Sequence, residues 1–320
     1  MSVLLEGEAS HAEIAEFLIA LKTKGETAEE LAGFARAMRE RSIFVDVGVI
    51  GGIAGGNLID TCGTGGTGDG TFNISTVAAI VMAGAGAKVA KHGNRSISSA
   101  TGGSAEMVEA LGVRFAMTPE DAGRSIREIG IGFLYAPHLH PAMKHAQPVR
   151  RELKVRTVFN LLGPLANPAR AQSQLIGAPS REAAKLMAEA LSMLGTGHAF
   201  VVHGHDGLDE ISITGPTDVY EVWTGRVEKH VWSPDDFGVR VDIGVALAGG
   251  DGARNAEIAL EILGGAIGPR RDIVLMNAAA GLVAGGLAAD LRQGMNMAAH
   301  SIDSGAASKR LEELRRKFPS

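Results

Sequence analysis

Between Ile14 and Met38 the apolar positions recur at helical spacing. Ile14, Phe17, Leu18 and Leu21 share one face, and Leu31, Phe34, Ala35 and Met38 form a second stripe. Each stripe begins behind an S/T-x-x-E signature, Ser10 to Glu13 and Thr27 to Glu30, which predicts a capping box at both helix starts. Gly25 closes the first helix. Two amphipathic helices in succession make a small helical unit that must bury its faces on something else. After Gly51 the pattern changes to short apolar runs. "NLID" and "AKVA" read as strands, and Ser75 to Ala83 reads as the helix between them. A glycine-bearing polar loop follows each strand, "GTGGTGDGTF" after the first and "KHGNRSISS" after the second. Strand, loop, helix, strand, loop predicts a mainly parallel sheet with its working loops at the strand C-termini. Further on, Ser180 caps a helix running to about Leu194, and "AFVVHG" is a buried strand opening onto "HDGLDE". From Ala253 onward the chain is mainly helical, with "NAEIALEILGG" and "DIVLMNAAAGLVAGG" as the clearest patterns.

Composition narrows the function classes. Apolar residues make up 45% and charged residues 21% of 320 residues, enough for a large buried core. Aromatic residues are only 4% and the formal net charge is -5, which together argue against a general nucleic-acid binder. The single cysteine, Cys62, excludes an intramolecular disulfide and fits a reducing compartment. No basic segment followed by an apolar stretch opens the chain, so no secretory signal is expected. The uncharged run Ile273 to Ala289 carries Asn277 and several glycines and reads as a buried helix rather than a membrane span. A cytoplasmic location is the expectation.

Glycines between a strand and a helix let backbone N–H groups approach an anion, and the helix start adds its positive dipole. Asn73, Ser75 and Thr76 add side-chain donors there. The spacing is neither a Walker A motif nor G-x-G-x-x-G. "KHGNRSISS" sets Lys91, His92, Asn94 and Arg95 at the end of the neighbouring strand, which suggests a ligand with more than one phosphate. Such a ligand calls for a hard divalent cation, and Asp209 and Glu210 are the adjacent carboxylates best placed to hold Mg²⁺. His138, His140 and His145 offer a zinc reading, but no Cys and no H-E-x-x-H accompany them. That segment reads better as bringing His140 and Arg150 into a cleft, where Arg150 can pair with a substrate carboxylate. Cys62 has no evident base partner and reads as a packed residue.

The ordered set "GTGG", "NIST", "KHGNRSISS", "HPAMK", "RTVFNLLGPLANP" and "HGHDGLDE" closely resembles the anthranilate phosphoribosyltransferase family, and the resemblance covers almost the whole chain. It implies a small N-terminal helical domain, residues 1–50 with 141–165 returning to it, and a larger α/β domain, residues 51–140 and 166–320, with a mainly parallel central sheet. It implies transfer of phosphoribosyl from 5-phosphoribosyl 1-diphosphate (PRPP) to the amine of anthranilate, with pyrophosphate released and two Mg²⁺ ions as cofactor. Gly63, Thr64, Gly65, Gly66, Thr67, Thr71, Asn73, Ile74, Ser75 and Thr76 would cradle PRPP from one side. Lys91, His92, Gly93, Asn94, Arg95, Ser96, Ile97, Ser98 and Ser99 would wrap it from the other. Gly63, Asn94, His140 and Arg150 would meet anthranilate, and Ser75, Asp209 and Glu210 would bind the metal. No dedicated catalytic base is implied, and the family commonly forms a homodimer through the helical domain.

The chain departs from the family at "GTGGTGDG", where Thr67 stands in place of Asp, and in loop spacings about a residue longer than usual. It also begins near the family's first "GEA" segment, so one N-terminal helix of the family is expected to be missing. Two rival readings are a pyrimidine-nucleoside phosphorylase, whose loop "GTGGTGD" partly echoes, and a non-catalytic nucleic-acid-binding relative.

Overall fold

The computed structural model describes all residues except 51–52, 55–56, 66–69, 96–102 and 243–246, and the side chains of 49, 50, 53 and 54 are likewise outside the description. A short antiparallel ribbon, β1 (Val49–Ile50) and β2 (Ile53–Ala54), precedes the main sheet. The sheet contains β3 (Leu58–Gly63), β4 (Lys88–Gly93), β5 (Ile131–Tyr135), β6 (Ser173–Gly177), β7 (His198–Gly204), β8 (Thr217–Trp223) and β9 (Arg226–Trp232). Its order is β5-β4-β3-β6-β7-β8-β9. The first five in that order are parallel, and β8 and β9 add an antiparallel edge. From β3 the chain winds outward through β4 and β5 on one side and through β6 and β7 on the other. The β3–β6 seam is therefore the switch point, outside whose carboxyl ends such sheets bind ligands.

Alternation on the strands splits the core. Leu175, Phe200 and Val202 face the helices Ile74–Gly84, Pro269–Ala284 and Leu291–Asp303, while Ile176, Ala199 and Val201 face the opposite way. That second face packs on the helix Arg181–Met193 and on the N-terminal helices His11–Lys24 and Ala28–Glu40. Val149, Val158, Phe159, Leu162 and Leu165 join the same cluster, so the segment after His140 packs with the first forty residues.

Both predicted capping boxes form, with Glu13 and Glu30 each accepting from the N-cap backbone. Phe17 does not share the full burial of Ile14, Leu18 and Leu21. It is 36% exposed and meets Phe34 edge to face, because the stripe is wider than the surface that covers it. A short helix, Ser2–Glu6, precedes the "GEA" segment. The uncharged run lies in the buried helix Pro269–Ala284, and no described helix is long and apolar enough to cross a membrane.

Candidate active site

Four neighbouring parallel strands, β4, β3, β6 and β7, end in Gly93, Gly63, Gly177 and Gly204. Gly63 and Gly177 pair directly across the switch-point seam, and Thr64 N–H donates to the Gly177 carbonyl at 3.0 Å. Onto this bare seam comes Asp209. A Cβ on Gly63 would lie 2.5 Å from Asp209 Oδ2, and one on Gly177 only 1.6 Å from its backbone oxygen. The carboxylate accepts from Gly65 N–H at 3.2 Å. Gly65 itself has φ +72°, the left-handed region that glycine enters freely.

The turn that presents this carboxylate is tied down twice. Asp206 accepts from the Ser212 and Thr214 hydroxyls, each at 2.5 Å, and from Leu208 N–H at 3.1 Å. Behind it, fully buried Asn277 accepts from Ile211 N–H at 3.0 Å and donates to the Ile211 carbonyl at 3.2 Å. Glu210 is thus held beside Asp209, and its carboxyl is pushed up to about 8. Burial is the main cause and the Asp209 carboxylate the second; Lys91 and the Ser75 amide and hydroxyl oppose them.

Lys91 is 3% exposed at the end of β4. Beneath it the fully buried Asp60 accepts from His92 N–H at 3.1 Å and from Asn167 Nδ2 at 2.7 Å. Desolvation raises the Asp60 pKa, against Lys91 first and then these donors. Asn167, from "GPLANP", also donates to the Ala90 carbonyl at 3.0 Å, so that motif pins β4 to β3. Cys62 is buried near the same carboxylate, and burial pushes its thiol well up, in keeping with a packed, inert sulfur.

The His92 and His140 rings meet at 5.2 Å, tilted by 53°, and neither Nε2 has a hydrogen-bond partner among the described residues. Desolvation pulls His140 down to about 4; desolvation and then His140 pull His92 down to about 3. The Thr64 and Thr76 hydroxyls are likewise buried and without a partner among the described residues. Arg150 is half-buried with its guanidinium over the Phe159 ring at 5.3 Å, and burial lowers its pKa. Arg95 is drawn instead to Glu109, at 2.5 and 2.8 Å. Asn94 accepts from Arg95 N–H at 2.8 Å, and Gly93 gives room to the Ser104 hydroxyl. Asn73 opens the helix Ile74–Gly84 without capping it, beside buried Ile74, and half-buried Thr71 lies two residues back in a bridge to Ala248. Gly66, Thr67, Ser96, Ile97, Ser98 and Ser99 lie outside the described residues.

His138 meets Tyr135, His140 meets His92 and His145 packs beside Gly7, so the three histidines diverge. Among the described residues no group of three or more His, Cys, Asp or Glu side chains is arranged to hold a metal. Sequence reasoning missed Asn167, Asn277 and Arg156, whose guanidinium donates to the Gly65 carbonyl. It also missed Asn255, which donates to Asn73 Oδ1 at 3.0 Å.

A helical bundle beside an α/β sheet whose strands end in glycines at the switch point is the architecture of one glycosyltransferase class. Residues 1–42 match the glycosyl transferase family's helical bundle domain, and residues 55–308 match its a/b domain. The anthranilate phosphoribosyltransferase of Solibacter usitatus is 60% identical over 314 residues, covering 98% of this chain and 91% of that protein. That of Symbiobacterium thermophilum is 51% identical, covering 98% and 90%. The crystal structure of the Thermus thermophilus enzyme superposes with a TM-score of 0.91 at 43% identity, covering 98% of this chain and 92% of that one. The Saccharomyces cerevisiae enzyme in complex with PRPP and Mg superposes with a TM-score of 0.85 at 31% identity, covering 96% and 85%. The chain belongs to the anthranilate phosphoribosyltransferase family.

Proposed function

We propose that this member of the family transfers the 5-phosphoribosyl group of PRPP to the amine of anthranilate at the β3–β6 seam. The observation that carries the reading is Asp209 seated on Gly63 and Gly177 with Gly65 N–H in its grasp, beside a Glu210 whose carboxyl is held at about 8. Two crowded carboxyls of this kind fit a divalent cation, which would relieve their repulsion. Asp209, Glu210 and Ser75 would hold Mg²⁺, two ions with PRPP bound, the remaining positions falling to substrate oxygens and water. When bound, the metal neutralises charge on the diphosphate.

The protein's own groups do the rest. Gly63 to Thr67, Thr71 and Asn73 to Thr76 would cradle the diphosphate and phosphate from one side, and Lys91 to Ser99 would contact them from the other. Lys91, already desolvated, stabilises the negative charge that grows as the C1–oxygen bond breaks. Arg150 aligns the anthranilate carboxylate so that its nitrogen faces C1, with Gly63, Asn94 and His140 lining that pocket. The neutral His92 and His140 rings add no competing positive charge near the developing cationic sugar. The nitrogen–C1 bond forms, pyrophosphate departs, and the proton left on nitrogen passes to solvent.

Residues 1–50 with 141–165 would form the helical domain, and 51–140 with 166–320 the phosphoribosyl-binding one. Exposed Val3, Phe17 and Ile19 on the helical side suit a homodimer face, and a lone buried thiol suits the cytoplasm. The decay of anthranilate fluorescence with PRPP and Mg²⁺ tests the reaction. We expect decay that EDTA stops, slowed at least about a hundredfold in the Asp209→Ala/Glu210→Ala variant. Unchanged fluorescence in the wild type, or phosphorolysis of uridine or thymidine instead, would reject the reading.

A further inference from the structure

Asn255 is fully buried, and the chemistry above makes no use of it. It lies in the first turn of the helix Gly252–Leu263, whose N-cap is Asp251. The segment just ahead of that helix runs along the end of the glycine loop. Phe72 N–H donates to the Leu247 carbonyl at 3.1 Å, Gly249 N–H donates to the Gly70 carbonyl at 2.7 Å, and Thr71 bridges to Ala248. Gly249 permits this approach: a Cβ there would lie 2.5 Å from Asn255 Oδ1 and 2.7 Å from Phe72 N.

The polarity of two side-chain amides follows from one backbone group. Gly250 N–H can only donate, and it lies 2.9 Å from Asn255 Oδ1. That contact fixes which way the Asn255 amide faces. Its nitrogen must then point to Asn73, and it donates to Asn73 Oδ1 at 3.0 Å. An amide whose oxygen is engaged in this way turns its NH₂ the other way. Asn73 accordingly does not spend its oxygen on capping its own helix. An NH₂ attracts phosphate oxygens, and an amide oxygen repels them.

We propose that Asn255 is a positioning residue for PRPP: by engaging the Asn73 oxygen, it makes Asn73 offer donors rather than an acceptor to the diphosphate. This rests on the reading of Asn73 as a phosphate ligand. Asn255→Asp keeps the volume and the acceptor for Gly250 N–H but replaces the donor with an oxygen. The Asn73 amide must then turn over and set its oxygen toward the ligand.

Steady-state kinetics on the wild type, Asn255→Asp, Asn73→Ala and the double variant test the proposal as a cycle. Asn255→Asp should raise the KM for PRPP about tenfold and leave the KM for anthranilate within about twofold. In the Asn73→Ala background the same substitution should add less than about twofold. A KM for PRPP unchanged in Asn255→Asp overturns the proposal. So does an equal rise in both backgrounds, which would mean that Asn255 acts through the loop or through charge alone. Should the Asp variant fail to fold, Asn255→Ser carries the same cycle with a smaller rise, again absent beside Asn73→Ala. A wild type without transferase activity removes the functional reading and this proposal with it, whereas an active wild type beside an indifferent Asn255→Asp removes the proposal alone.

Discussion

The buried imidazoles of His92 and His140 stay uncharged because water is excluded from both rings, and for His92 because His140 also opposes a charge there. An unfolded histidine titrates near 6.5, so on acidification the unfolded chain takes up protons that the folded one refuses. The stability held by these neutral rings is complete above about pH 6.5 and is lost as pH falls toward about 4 and about 3. The melting temperature should therefore drop between about pH 7 and 4.5, and His140→Asn should drop less steeply. Parallel curves would contradict this account. Single residues were legible in the sequence where their chemistry is unusual for their setting. Lys91 after a strand and paired carboxylates at 209 and 210 invite a question wherever they fall. Asn167, Asn255 and Asn277 invite none, because an amide gains its meaning only from what it touches. Their partners Asp60, Asn73 and Ile211 lie far away in sequence. Arg95 shows the converse: its charge was plain, but the glutamate that claims it sits on the helix Ser104–Ala110.

At the scale of strands and turns, the β-loop-α-β grammar was readable because buried parallel strands give short apolar runs and helices give stripes. The antiparallel hairpin β8–β9 was passed over. Its turn, Thr224 and Gly225, has φ of 47° and 79°, the double positive φ of a tight hairpin. Thr-Gly is a weaker signal for that turn than Asn-Gly, and β9 alternates too little buried surface to stand out. The glycines at strand ends act at this scale as well. Gly177→Ala adds one methyl where the Asp209 backbone already sits, so the whole presenting turn has to move. A displacement of about 1 Å can cost about a hundredfold, and we expect kcat/KM to fall by at least about tenfold. Gly215→Ala, with nothing within 4 Å of the added atom, should leave it unchanged. Equal rates in the two variants would mean that the seam tolerates a shifted carboxylate.

Across the whole molecule, the helical unit leaves apolar surface uncovered. Ile19 is 49%, Val3 54% and Phe17 36% exposed. A homodimer through the helical unit predicts that Val3→Glu/Ile19→Glu shifts the mass measured by light scattering from two chains to one. A wild type already monomeric at about 50 μM, or a variant that stays dimeric, would place the contact elsewhere or nowhere. The sheet order carries a further consequence, one for the sequence of events in folding. β3 and β4 lie close in the chain, but β3 completes its seam with β6, which follows about 110 residues later. Contacts of such long range form late, since a large loop must close before they are rewarded. During synthesis the glycine-bearing loops after β3 and β4 exist long before the strand beside them and the carboxylate above them. Until residue 210 has emerged, the chain has the bare strand ends at Gly63 but not the carboxylate that sits on them.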